Sequence, residues 1–538
     1  MSNILAEKWS VTKPVVQSSG GVVTSQHYLA SEVGARVLAQ GGNAMDAAVA
    51  TSFALGVVEP WMSGLGGCAF MVTYSAADDK TYVLESGVRA PLAVDPADYP
   101  LSTGFDSDLF NWPGVVDNRN VIGPWSVAVP GLVAGLDAVV ERFATWGWSD
   151  LIAPAIELAE RGLRVDWYSS LKIASAARDL SRFPSSKALF LPDGQAPVGQ
   201  WGGPLPVIEL KALQQTLQRL AVEGAESFYR GSLAEDIVRD ASLLGMKLAE
   251  DIVRDASLLG MKLGIDDLKS YTPVLHAVDG FTYRNVTVNA ATGLSAGPTL
   301  QHALGLLEQN LAGPPAAPDG QLYGAYAAAM NEAYAERLCG FGDSPEGAIP
   351  SCTTHLNVVD REGNVVALTQ TLLSLFGSKV VLPDTGILMN NGMMWFDPTP
   401  DRVNSIAPGK RPLSNMCPVI MCDRAGYRTA IGASGGRRIM SAVLQLLSFL
   451  ADCQMTVHDA IHQPRIDVSG GTDITVDTLL DPDIVEFLSR HYSVITIPQG
   501  VYPSMYACPG IAQFDPHTGN STGAAFVMSP VAAAVGAD

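Results

Sequence analysis

Thr353 is the residue of this chain best placed to attack a carbonyl. It lies in Ser351-Cys352-Thr353-Thr354-His355-Leu356-Asn357-Val358-Val359-Asp360. Alternating apolar residues, Leu356 and Val358 and then Val366 and Leu368, predict two strands. Between them Arg361-Glu362-Gly363 predicts a three-residue turn, with glycine where positive φ is needed. The turn sets Asp360 opposite Asn364 and carries Thr353 opposite Thr371, whose hydroxyl can reach it. A threonine that starts a strand and faces a second threonine suits an N-terminal nucleophile. A cut before Thr353 would free an α-amine of pKa ~8, able to deprotonate its own hydroxyl. Cys352 would then supply the scissile carbonyl. Thr354 is the neighbouring rival, but its side chain should point to the opposite sheet face.

A second feature could stabilise charge. Gly435-Gly436 precede a predicted helix from Arg437 to Leu450, with apolar residues at Ile439, Val443, Leu444 and Leu447. Free N–H groups and the positive dipole end gather at a helix N-terminus, and glycine lets a substrate approach closely. These are the parts of an oxyanion hole, often worth ~3 kcal/mol per donor. His458 and His462 share one helix face by spacing. The glutamate of a His-Glu-x-x-His motif is replaced by Asp459, and a third ligand is not evident, so no metal is expected. The glycines of Ser63-Gly64-Leu65-Gly66-Gly67 lack a following Lys-Ser/Thr, so this is not a phosphate-binding loop. The stretch is expected to pack under the hairpin.

Four stretches together resemble the γ-glutamyltransferase family of N-terminal nucleophile hydrolases. They are Gly41-Gly42-Asn43-Ala44-Met45-Asp46-Ala47-Ala48-Val49-Ala50 and Ser63-Gly64-Leu65-Gly66-Gly67. Then come Thr353-Thr354-His355 with Val358-Val359-Asp360, and Pro408-Gly409-Lys410-Arg411-Pro412-Leu413-Ser414 followed by Gly432-Ala433-Ser434-Gly435-Gly436. They keep the family's order and span most of the chain. The resemblance implies an α+β fold, a four-layer αββα sandwich. It implies autocleavage between Cys352 and Thr353 into a large fragment, 1–352, and a small one, 353–538, that remain one unit. It implies hydrolysis or transfer of an acyl group through an acyl-Thr353 intermediate, without a cofactor. Thr371 would hold and polarise the nucleophile, and Gly435 and Gly436 would bind the oxyanion.

The same resemblance assigns Ser414 to a substrate carboxylate. Asn415 departs from the family's serine but can still donate. Lys410 and Arg411 serve either the substrate or structural ion pairs. Enzymes acting on γ-glutamyl groups carry an arginine in Phe-Arg-Glu-x-Ala-Pro; here Gly87 stands in its place and Arg89 lies two positions on. Two strand positions keep the face but shift ~7 Å. Positions that would hold the glutamyl α-amine align with Leu373, Gly392 and Trp395. An unpaired buried ammonium is costly, so this pocket should not favour one. Trp395 would form an apolar wall. The short linker from Asp397 to Gly409 should leave the site without a lid. The default activity is glutathione hydrolase or γ-glutamyltransferase. The alternatives are an acylase like cephalosporin acylase or oxamate amidohydrolase, and a non-catalytic scaffold.

The rest of the chain must position these residues. At 538 residues with 47% hydrophobic content, a large core is expected. The net charge of −20 argues against nucleic acid or an anionic membrane as partner. The expected partners are a small-molecule amide and the chain's own cleaved fragment; association of two heterodimers stays open. No run of 18 apolar residues occurs and the first residues lack a signal-peptide pattern, which predicts a cytoplasmic protein unless a leader has been removed. Seven scattered cysteines without Cys-x-x-Cys predict reduced thiols. Helices are predicted at 30–40, 44–55, 131–143, 149–161 and 210–223, with Asn43 capping the second. A hairpin is predicted from Ala69–Tyr74 and Thr81–Glu85, and a surface excursion over 183–207. Residues 233–247 recur verbatim as 248–262. One copy is expected to form the helix before Asp266, and the other to extend it or bulge outward.

Overall fold

The computed structural model describes residues 11–105, 112–251, 260–311, 313, 315–341, 352–469 and 473–538. At its centre two seven-stranded sheets lie face to face. In the first, Ala533–Gly536, Gly21–Ser25, Cys352–Asp360, Val365–Leu373, Cys68–Ser75, Lys80–Ser86 and Val274–Val278 follow one another across the sheet. In the second the order is Val16–Ser18, Ser521–Ala525, Cys508–Phe514, Arg428–Ser434, Val419–Asp423, Val286–Ala290 and Phe281–Tyr283. Every pairing within these two sheets is antiparallel.

Three apolar clusters separate the four layers. Val23, Leu356, Val358, Val366 and Leu368 face the helices Tyr28–Ala39 and Ala44–Val58. On the far side, Val288, Ile431 and Ala433 pack against Gly297–Asn310, Gly320–Phe341 and Arg438–Ala451. Between the sheets lie Phe70, Val72, Ala367, Ile420, Ala430 and Ala512. This is the expected αββα sandwich of the α+β class. Each sheet combines strands from both sides of residue 352, so neither part of the chain could complete a sheet alone.

The Ala44–Val58 helix is buried on nearly every face and owes its entry to Asn43. The Asn43 side chain accepts from the Met45 and Asp46 amides at 2.9 Å, and Asp46 returns a bond to the Asn43 amide at 2.9 Å. That reciprocal cap satisfies amides a helix start leaves open. The Cys68–Ser75 and Lys80–Ser86 hairpin also forms where expected. The segment 183–207 departs from its sequence reading. Pro184–Phe190 is a helix, with Phe183, Phe190 and Leu191 in the core, and the surface loop is confined to the residues beyond Leu191. Proline at the first helical turn and buried phenylalanine outweigh the loop-like composition. The helix Ser232–Asp251 takes up the whole first copy of the duplication and enters the second; residues 252–259 lie outside the described residues.

Candidate active site

The nucleophile hairpin turns as its sequence predicts. Gly363 has φ 81°, and the Asp360 amide donates to the Asn364 carbonyl at 3.1 Å. The register runs unbroken from Val359 opposite Val365 to Thr354 opposite Gln370. There it shifts, and Cys352 sits opposite Leu373. Thr371 and Leu372 therefore share the space facing Thr353, a bulge on the partner strand. Bulges re-aim side chains at the ends of ladders. The expected one-to-one pairing of Thr353 with Thr371 is replaced by this offset, yet the Thr353 hydroxyl still lies 3.4 Å from the Thr371 hydroxyl. Thr371 Oγ1 also accepts from the amide of Leu373, itself held at φ 87°, at 2.7 Å. Thr353 is almost fully buried.

Two loops hold the end of the Thr371 strand. The carbonyls of Trp61 and Met62 accept from the Phe376 and Leu372 amides at 2.9 Å. A Cβ on Gly67 would come within 2.4 Å of the Thr371 carbonyl oxygen, so only glycine allows this approach. The 63–67 stretch thus packs under the hairpin. Asn390 ties the same loop down, donating to the Gly66 and Ala128 carbonyls.

Thr353, His355 and Asn357 share the inter-sheet face. His355 hydrogen-bonds Thr369 Oγ1 at 2.9 Å and Asn357 Oδ1 at 2.8 Å. Burial holds its imidazole down at about 4, against the Asn357 bond, so it is neutral. A Cβ on Gly432 would lie 2.2 Å from the His355 ring, which fixes glycine on the facing strand. Thr354 points the other way, towards the helices, as expected.

On the facing sheet, the strand Arg428–Ser434 ends in Gly435 and Gly436, with φ 138° and 59°. The helix Arg438–Ala451 begins immediately after. Neither glycine amide donates to a described residue, whereas both carbonyls accept from the first helical turn. These are two free donors at a helix N-terminus, suited to an oxyanion. Gln26 braces them, its side-chain amide donating to Ser434 Oγ.

The remaining candidates divide. Ser414 is buried, its hydroxyl accepting from the Met416 amide at 3.2 Å and its carbonyl from Arg337 at 2.6 Å. Asn415 keeps a buried side-chain amide without a partner, a spare donor. Trp395 is buried with Leu373, Val88 and Met394 in the inter-sheet cluster. Arg89 is spent elsewhere. Its terminal nitrogens donate to the Asp267 and Ser270 carbonyls at 2.8 and 3.0 Å, at the C-terminal end of the helix Ile265–Lys269. Its assignment to a substrate carboxylate is therefore corrected to a structural one: the side chain caps that helix end. Lys410 and Arg411 likewise bind carbonyls, of Ser405 and Thr272, rather than carboxylates. His458 and His462 stack at 4.5 Å on one helix. Among the described residues no group of three or more metal-ligating side chains exists.

The sequence reading missed Glu59. It caps the C-terminal end of the Ala44–Val58 helix and is buried against Thr354, the residue after the nucleophile. One carboxyl oxygen and the Thr354 hydroxyl both lack a well-formed hydrogen bond. Burial pushes its pKa up to about 8, opposed by Thr354 and Lys172. The available signal was a lone charge in the apolar run Val57-Val58-Glu59-Pro60.

The family model for gamma-glutamyltranspeptidase matches residues 30–351 and 346–505. The chain belongs to the gamma-glutamyltranspeptidase family. It is thus a member of a family of enzymes. A glutathione hydrolase proenzyme of Bacillus subtilis (strain 168) is 29% identical over 495 residues, 84% of this chain and 81% of that one. An acylase ACY 1 proenzyme of Pseudomonas sp. (strain V22) is 32% identical over 526 residues, 90% and 89% of the two chains. The crystal structure of cephalosporin acylase from Bacillus halodurans superposes with a TM-score of 0.82 at 22% identity, covering 100% of this chain and 99% of that one. This likeness shows a shared fold. Among the described residues of this gamma-glutamyltranspeptidase family member, no helix is long and apolar enough to cross a membrane. Cys68, Cys417, Cys422, Cys453 and Cys508 are free thiols.

Proposed function

We propose that the chain is an autoprocessing threonine amidohydrolase. In the first step Thr353 Oγ1 attacks the Cys352 carbonyl, its proton passes to the departing Thr353 nitrogen, and water hydrolyses the resulting ester. The products are fragments 1–352 and 353–538, a Cys352 carboxylate and a free Thr353 amine. In turnover that amine takes the hydroxyl proton, Oγ1 attacks an amide carbonyl, and the Thr353 ammonium returns the proton to the substrate nitrogen, which leaves as an amine. Water then releases the acyl group from Thr353. Thr371 holds the nucleophile, the Gly435 and Gly436 amides receive the oxyanion, and Ser414 and Asn415 receive a substrate carboxylate.

The observation that carries this reading is the 3.4 Å approach of the Thr353 and Thr371 hydroxyls at the head of a strand. The intermixed strands support a heterodimer that stays together after the cut. The substrate is a γ-glutamyl or related acyl amide. A second reading, an acylase for a non-glutamyl acyl group, is favoured by Leu373, Gly392 and the buried Trp395, which offer an α-ammonium no side-chain acceptor.

Intact mass of the protein beside Thr353→Ala tests the reaction. Two fragments, the smaller beginning at Thr353 and absent from the variant, are expected. A single uncut and inactive wild-type chain would instead favour a scaffold. A chromogenic γ-glutamyl anilide, beside a glutaryl amide and oxamate, then separates the two substrate readings.

A further inference from the structure

The polar groups on the helix-facing side of the nucleophile hairpin take no part in the proposed reaction, and one pair among them is left over. Gln370 stands directly opposite Thr354 in the ladder. Its side chain is spent on the buried helix Ala44–Val58 and the loop after it. Its amide nitrogen donates to the Ser52 carbonyl at 3.1 Å and to Ser63 Oγ at 2.8 Å, and its oxygen accepts from Ser52 Oγ. That leaves Thr354 to Glu59. The Thr354 hydroxyl and one Glu59 carboxyl oxygen are buried side by side, and neither has another partner among the described residues. Buried polar groups need partners, and here each can find one only in the other.

The Glu59 backbone is fixed on both sides. Its amide donates to the Leu55 carbonyl and its carbonyl accepts from the Met62 amide, both at 2.9 Å. The next residues, Trp61 and Met62, hold the end of the Thr371 strand. One loop therefore grips both strands of the hairpin, the Thr371 strand through backbone carbonyls and the Thr353 strand through the Glu59 side chain. The second grip matters most after a cut. Thr353 then becomes a chain end, and chain ends fray unless they are tied down. Thr354 opposite Gln370 is the outermost ladder pair that fragment 353–538 would keep on this side. Two titratable groups face Glu59, Lys172 from the helix Trp167–Leu180 and the Cys508 thiol from the strand Cys508–Phe514. Burial pushes the thiol up and keeps it neutral, and burial outweighs Lys172 at Glu59, so the carboxyl stays a neutral acid until about pH 8. Above that, a carboxylate behind Thr353 would draw in water and favour the ammonium form of the Thr353 amine, which cannot take the hydroxyl proton.

We propose that Glu59 is a positioning residue for the nucleophile: through Thr354 it holds Thr353 against the Thr371 strand, both before and after the cut. The inference rests on Thr353 as nucleophile and goes beyond that reading by assigning the buried group behind it. Glu59 touches no substrate; it acts through Thr354 and through the loop it begins.

Amide hydrogen exchange in Thr353→Ala, which stays one chain, tests the hold without turnover. Mass spectrometry would follow peptides from 352–360 and 365–373 at pH 7 and pH 9. In that background Glu59→Leu should speed exchange at the head of the hairpin about tenfold at pH 7. Glu59→Gln should recover most of that loss at pH 7 and exchange more slowly than its Glu59 parent at pH 9. If Glu59→Leu does not fold, the Glu59→Gln comparison decides alone. Equal exchange in all forms, or a difference that does not change with pH, overturns the proposal whether or not the wild-type chain cuts itself. Turnover gives a second readout. With a chromogenic amide that the wild type hydrolyses, the kcat/KM of Glu59→Gln relative to wild type should rise about tenfold from pH 7 to pH 9, as Glu59 ionises through about 8. A flat ratio also overturns it. A wild-type chain that never cuts at Thr353 would remove the nucleophile reading and leave the exchange comparison to decide this one.

Discussion

The Thr353 hydroxyl lies 3.4 Å from the Thr371 hydroxyl across a bulge that faces one nucleophile-strand residue with two from its partner. The offset lets Thr371 reach the nucleophile with its hydroxyl while accepting from the Leu373 amide at 2.7 Å. Thr371→Val keeps the shape and removes both bonds. Losing a buried hydrogen bond to the reacting group costs about 1–3 kcal/mol, roughly 10- to 100-fold in rate. Fragment appearance on a gel should slow by that factor; self-cleavage at the wild-type rate would remove Thr371 from the mechanism.

Gly435 is held at φ 138°, and a Cβ there would stand 2.8 Å from the Ala507 Cα. Gly435→Ala must therefore move the glycine turn. Displacing one oxyanion donor costs on the order of 10²-fold in kcat. Circular dichroism should show the fold retained while turnover of a chromogenic amide drops by that order. Unchanged kcat would place the oxyanion elsewhere.

Glu59 should make stability fall with rising pH. Its folded pKa, about 8, stands above the ordinary 4.5, so the folded chain keeps a proton that the unfolded chain releases. Its stabilising contribution is complete below pH 4.5 and lost as pH rises through about 8. Glu59→Gln, in a Thr353→Ala background that stays one chain, should gain on its parent as pH rises from 5 to 8. Urea midpoints at the two pH values measure this; a pH-independent difference would mean that Glu59 is ionised in the fold.

His355 acts in the opposite sense. Its folded pKa of about 4 lies below the ordinary 6.5, so the unfolded chain binds the extra proton. The associated stability is full above pH 6.5 and falls away towards pH 4, by on the order of 3 kcal/mol. His27, also held down to about 4 by burial, adds a second such loss. In His355→Gln the slope of the unfolding free energy between pH 4 and 6.5 should fall by up to one proton's worth, about 1.4 kcal/mol per pH unit. An unchanged slope would show that the imidazole titrates normally between the sheets.

The sequence alone determined what local chemistry dictates. Asn43 before an apolar run meant a capped buried helix, and Gly363 between alternating strands meant a hairpin. Glycines before a periodic segment meant a helix start with open amides. Motif order pointed to the family, and the αββα layers followed from that resemblance. Only the tertiary structure decided how distant residues meet. Arg89 reads as a substrate arginine until the helix Ile265–Lys269 arrives with open carbonyls and takes its guanidinium. The bulge at Thr353 depends on the loops at Trp61 and Gly67 pressing on the partner strand, not on the hairpin's own residues. Glu59 lies far from Thr353 in sequence. Its charge state depends on burial and on which neighbours the packing supplies, quantities that no local pattern encodes.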